Sequence, residues 1–220
     1  NQSSYRSIFK ATFLFGGVQV YQILIQIIKS KFVAVLLGPA GVGIMGLYQS
    51  GLQLVQQISS MGLASSAVRS VSESNGTNDI QRIAKTITVV RKLVWFTGLL
   101  GLILVACCSP LLSKVSFGNY DYTIPFIILS VTLLFDQLSA GQRVVLQGMR
   151  RLKDLAKCTA FGVTFGLITS VPLYYWLGID GIIPTIILNS ACSLTLSWIY
   201  SRRIKIEKVP VTPKETLEQG

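Results

Sequence analysis

Hydrophobic positions run through this chain in long blocks, and short polar clusters separate them. Between Phe32 and Val68 no residue is charged. One helix over those 37 residues would be about 55 Å long, against a hydrocarbon core of about 30 Å. The run must turn, and Gly38-Pro39 is the place for it. Reading the other blocks in the same way predicts six apolar helices. They cover about Ala11 to Leu37, Ala40 to Val68, Leu93 to Ser113, Tyr122 to Leu146, Cys158 to Leu177 and Ile182 to Ser201.

The intervening segments read as loops. Arg69 to Lys92 is polar, and its centre, Ser74-Asn75-Gly76-Thr77-Asn78, is turn chemistry. Lys114 to Asp121 and the basic Gly148 to Asp154 are further loops, and Gly178-Ile179-Asp180-Gly181 is a tight turn. The resulting organisation is a polar leader over 1–10, a six-helix transmembrane lobe over 11–201 and a charged tail over 202–220. That tail, with Pro210 and Pro213, reads as a linker or disordered end.

Composition agrees with a membrane solvent. Half of the 220 residues are hydrophobic, 13% are charged, and mean hydropathy is +0.56, outside the range of ordinary soluble domains. The fold class is therefore an all-α membrane protein. A net charge of +11 would suggest nucleic acid in a soluble protein, but here the cations sit in short loops between apolar runs. Seventeen of the twenty lie on the side that holds both termini, which the positive-inside bias places in the cytoplasm. Lys29, Lys31 and Lys114 are the other three. The first apolar block is too long for a signal core and has no small-x-small cleavage site.

The absence of histidine excludes histidine catalysis, histidine metal sites and histidine proton relays. Cys107, Cys108, Cys158 and Cys192 fall in apolar runs without metal-ligand spacing, and read as small core residues. No phosphate-binding Gly-x-x-x-x-Gly-Lys-Ser/Thr loop occurs, and no cofactor is expected.

Polar side chains inside the apolar blocks form stripes. Gln19, Gln22, Gln26 and Lys29 occupy an arc of about 80° on the first helix. Gln49, Gln53, Gln56 and Ser60 occupy about 60° on the second. Unpaired amides facing lipid are costly, so both stripes should face protein or a hydrated cavity. Glutamines that only hydrogen-bond neighbouring helices would serve as bundle glue; two full-length stripes on adjacent helices point instead to a cavity. A third stripe is Asp136, Arg143 and Gln147. Asp136 either exchanges protons or pairs with a basic group such as Arg143. Lys29 and Lys31 lie towards the outer end of the first helix, where they line the cavity or snorkel to headgroups, and Lys31 points away from the stripe.

Four segments carry a family resemblance: Lys31 to Gly43 with its Leu37-Gly38-Pro39-Ala40-Gly41, then Met61-Gly62-Leu63 with Ser66-Ala67-Val68-Arg69, then Phe117-Gly118-Asn119-Tyr120-Asp121-Tyr122, then Leu146-Gln147-Gly148-Met149-Arg150. Their order and spacing over about residues 8–203 resemble the bacterial O-antigen and lipid III flippases of the multidrug/oligosaccharidyl-lipid/polysaccharide exporter superfamily. The resemblance implies one lobe of a two-lobe exporter. The chain is thus expected to be a fragment or a half-transporter, completed by a second lobe or a second copy. The tail would be the cytoplasmic inter-lobe linker.

The implied location is the bacterial cytoplasmic membrane. The implied substrate is an oligosaccharide on undecaprenyl diphosphate, and glycan polymerase machinery is an implied partner. Lys29, Lys31 and Arg143 would meet the diphosphate, the glutamines the sugar hydroxyls, and Asp136 a coupling ion. A drug or cation exporter of the same superfamily is the alternative, but its cavity should be acidic or aromatic. A membrane enzyme of glycan assembly would want a large external loop with clustered His, Asp or Arg, and none occurs.

Overall fold

The computed structural model describes residues 2–60, 63–76 and 80–202, with the side chains of 16–60, 65–76 and 81–202. Among these every regular element is helical. The order is α1 (Gln2–Ser60), α2 (Leu63–Gly76), α3 (Ile80–Phe117), α4 (Thr123–Gly148), α5 (Leu152–Leu177), a 3₁₀ turn (Gly178–Gly181) and α6 (Ile182–Arg202). Among the described residues four helical stretches are long and apolar enough to cross a membrane: Gly16–Ser60, Gln81–Phe117, Thr123–Gly148 and Leu152–Arg202.

Two of the four are interrupted where the sequence predicts turns. Gly38 leaves helical geometry with φ 66° and ψ −179°, a region open essentially to glycine alone. It divides α1 into a first and a second arm. The 3₁₀ turn divides the stretch from 152 to 202 at Gly178, whose φ is 57°. The loop at Gly118 also has positive φ, 76°, which lets the chain pass from α3 to α4 within five residues.

The loop expected over Arg69 to Lys92 is instead mostly helix, formed by α2 and the first turns of α3. Its polarity hid an amphipathic pattern: Ala67, Val71 and Ser74 are buried at i, i+4 and i+7. Arg69 and Glu73 pair at 2.8 Å on the opposite, exposed side. Val71 lies against Gly148, where a Cβ would come within 2.5 Å of its Cγ1. Residues 77 and 78 of the expected turn lie outside the described residues, as do Met61-Gly62 and the tail from 203 onwards. The leader backbone belongs to α1, which is helical from Gln2.

Two larger apolar cores hold the bundle. One gathers Val33, Leu37, Tyr48, Leu52, Val55, Val105, Phe126, Leu129, Leu133, Tyr174 and Ile182 around the two helix breaks. Phe117 stacks on Tyr122 at 3.9 Å beside it, with Tyr48 edge-on to both Tyr122 and Phe126. The other packs α2 and α3 on α4 through Val71, Ile87, Val90, Val94, Leu138 and Val145. Large apolar side chains such as Ile27, Phe96, Ile103, Phe161 and Ile168 point outward, as they do on a surface solvated by lipid. All four cysteines are free. Cys158 is buried as expected, but Cys107 is exposed, because Val105 and Ser109 occupy the inward positions on either side of it.

Candidate functional site

The inward face of the first arm is set by helical phase. Val18, Gln22, Ile25, Lys29, Val33 and Leu36 are buried or half-buried, while Val20, Ile23, Leu24, Ile27 and Ile28 face out. This face lies along α5, where Tyr21 Oη and Thr164 Oγ1 are 2.7 Å apart. Between them opens a cleft of about 220 Å³, completed by α4 and α6. Gln22, Gln26 and Lys29 line it from α1, Arg143 from α4, Gly166 from α5, and Asn189 and Ser193 from α6.

Small residues make the room. Thr159, Gly162, Gly166 and Ser170 recur at i, i+3, i+7 and i+11 along α5, a spacing that turns one slim stripe towards α6. A Cβ at Gly166 would sit 3.3 Å from Asn189 Oδ1. Asn189 is held there, accepting from Thr169 Oγ1 at 3.3 Å and donating from Nδ2 to Ser170 Oγ at 3.5 Å.

Arg143 donates from Nη2 to Ser193 Oγ at 2.5 Å, and Ser139 also reaches Ser193, at 2.9 Å. The Nε of Arg143 is buried without a hydrogen-bond partner among the described residues. Lys29 is half-buried and makes no hydrogen bond or ion pair among the described residues. Among the described residues no carboxylate lines the cleft. Two cations with unmet hydrogen-bonding capacity thus stand among amides and hydroxyls, an arrangement that attracts an anion carrying many hydroxyls.

Several expected residues fall elsewhere. Lys29, expected towards the outer end, and Arg143, expected near the inner face, line the same cleft. The first arm runs well beyond one bilayer thickness, and Lys29 lies nine residues, about 13 Å, before the break at Gly38. Gln19 and Lys31 are exposed and do not line the cleft. Gln49 and Gln53 are exposed and Gln56 half-buried, and none of the three lines it. On that second arm the core claims Tyr48, Leu52, Val55 and Ser59, and each glutamine follows one of them by a single residue, about 100° further round. The two glutamine stripes therefore do not share the cleft.

Asp136 contacts Ser190 of α6 and forms no ion pair with Arg143 among the described residues. Seven residues along one helix separate the two groups by about 10 Å, and Ser193 takes the guanidinium instead. Gln147 is exposed. Asn189 and Ser193 were missed in the sequence, although Ser190, Ser193, Ser197 and Ser201 repeat at i, i+3, i+7 and i+11 and could have marked the polar face of α6. Among the described residues no group of His, Cys, Asp or Glu is arranged to hold a metal ion.

A family model described as polysaccharide biosynthesis protein matches residues 8–218. No curated protein and no solved structure gives a match.

Proposed function

The chain belongs to the polysaccharide biosynthesis protein family, and we propose that it translocates undecaprenyl-diphosphate-linked oligosaccharide repeat units from the inner to the outer leaflet of the bacterial cytoplasmic membrane, as a transporter and not an enzyme. The observation that carries this reading is the cleft, lined by no carboxylate among the described residues, in which Lys29 and Arg143 converge with Gln22, Gln26 and Asn189. A diphosphate needs cations in a site that sheds some water, where charge-assisted hydrogen bonds strengthen. Sugar hydroxyls donate and accept, as the amides do. A cavity for cationic drugs would carry acids where this one carries Lys29 and Arg143.

Counting a crossing on each side of Gly38 and of the 3₁₀ turn makes six, with both ends cytoplasmic by the cation bias. A second lobe, or a second copy, would close the cavity and rock against this one during transport. Glycan polymerase would take up the exported units. Asp136 is the carboxylate within α4 on which an ion gradient could act, since Ser190 lies one turn before the serine that holds Arg143.

Deleting the gene tests the reading. Lipid-linked repeat units should accumulate on the inner leaflet and surface glycan should fall; unchanged glycan without accumulation overturns it. At matched expression, Lys29→Ala and Arg143→Ala should each lower export at least about tenfold, the effect of one lost charge-assisted hydrogen bond. Lys29→Arg should retain part of the activity, because it keeps the charge.

A further inference from the structure

A second cavity, of about 140 Å³, lies between α3, α4 and α6, away from the cleft of Lys29 and Arg143. It is lined by Arg91 and Trp95 of α3, Gln142 of α4, and Trp198 and Arg202 of α6, over an apolar floor that includes Leu138. Among the described residues no carboxylate lines it. One water needs roughly 10–15 Å³ of such space, so a phosphate-sized group has room.

The polar groups here are incompletely satisfied. Arg91 donates from Nη2 to Ser201 Oγ at 3.3 Å, but its Nε is buried without a partner among the described residues. Gln142 Oε1 is a buried acceptor, likewise without a partner among the described residues. Arg202 packs its guanidinium 5.1 Å from the centroid of the Trp198 ring, which fixes the cation at the cavity wall. Two arginines ask for an acceptor bearing negative charge, and Gln142 asks for a donor. Trp95 and Trp198 are each about half exposed, as tryptophans are at the headgroup level of a bilayer.

We propose that this cavity binds the headgroup of an anionic phospholipid, with Arg91 and Arg202 on the phosphate and Gln142 accepting from a headgroup hydroxyl. Basic pockets between transmembrane helices are a recurrent way of holding such lipids. Phosphatidylglycerol has both features, the charge and the hydroxyl.

The test uses the full chain with Trp176→Phe, which leaves Trp95 and Trp198 as reporters, in phosphatidylcholine nanodiscs. Acyl-brominated phosphatidylglycerol should quench their fluorescence far more effectively than acyl-brominated phosphatidylcholine. Two arginines near a surface can supply a preference of up to about thirty-fold. Arg91→Gln with Arg202→Gln should abolish it. Lys153→Gln with Lys157→Gln removes the same charge from exposed positions outside the cavity and should leave it intact.

Equal quenching by both lipids, or equal loss in the two double variants, overturns the site in favour of diffuse attraction. Displacement of the lipid by inorganic phosphate overturns the lipid assignment in favour of a soluble anion. Phosphatidylmethanol, which lacks the hydroxyl, should compete less well than phosphatidylglycerol, and Gln142→Leu should remove that difference. Equal competition in the unaltered protein overturns the role of Gln142. Fluorescence from Arg91→Lys with Arg202→Lys, which keeps charge and loses the planar fork, should fall between the extremes.

Discussion

Arg150 occupies left-handed backbone with φ 56°, alone in this among the described non-glycine residues. It closes α4 with Arg150 N–H donating to Gln147 O at 3.0 Å and Arg151 N–H to Leu146 O at 2.9 Å, the paired bonds of a Schellman ending. That conformation costs an L-residue about 1–2 kcal/mol. Arg150→Gly should therefore stabilise the protein by up to about 1 kcal/mol, once the extra freedom of glycine in the unfolded chain is subtracted. A thermal melt in detergent that shows no gain would mean the side chain is holding something else. The exposed Arg69–Glu73 pair is the opposite case: both side chains are well solvated, so removing it should leave the melt nearly unchanged.

At the scale of elements, two glycines set how helices run and meet. Gly38 breaks α1 with a backbone that no Cβ tolerates well, although an added Cβ there would meet nothing within 4 Å. The strain of Gly38→Ala is thus confined to the backbone, about 1–3 kcal/mol, and should appear as lower stability or as a straighter α1. Gly141 is different, since its backbone is ordinary helix but a Cβ would come 2.7 Å from Val94 Cγ2. Gly141→Leu should force α3 and α4 apart at a cost of about 1–3 kcal/mol. Adding Val94→Ala should restore part of the loss. If the second change brings no recovery in the melt, the close α3–α4 approach is not what Gly141 provides.

For the whole molecule, the distribution of exposed groups predicts which faces meet water. Ile103 and Gln53 are both exposed, yet one is apolar and the other an amide that hydrocarbon would leave unpaired. In a background without the native cysteines, Gln53→Cys should react rapidly with a small water-soluble thiol reagent, and Ile103→Cys should not. Equal reactivity would remove the argument for a hydrated face on the second arm. A topology reporter fused after residue 202 should read cytoplasmic, and one inserted at Gly118 periplasmic. Opposite readings would invert the orientation inferred from the cations.

The apolar blocks, the breaks at Gly38 and Gly178–Gly181 and the all-helical class are consequences of local physics: helix rise, glycine geometry, and the exclusion of charge from hydrocarbon. They could be read without coordinates. The polar stretch after Val68 could not, because amphipathicity in α2 depends on α3 and α4 being there to bury Val71. Helical phase in the sequence marked Gln22, Gln26 and Lys29 as one stripe, but not what stood across from them. Only the tertiary structure brought Arg143, Asn189 and Ser193 from three other positions in the chain to that stripe, and turned the glutamines of the second arm away. Phase is a property of one helix, whereas a cleft is made by several, and their relative rotation is decided by packing at positions such as Gly141, Gly148 and Gly166, where a missing side chain leaves no polarity pattern to read.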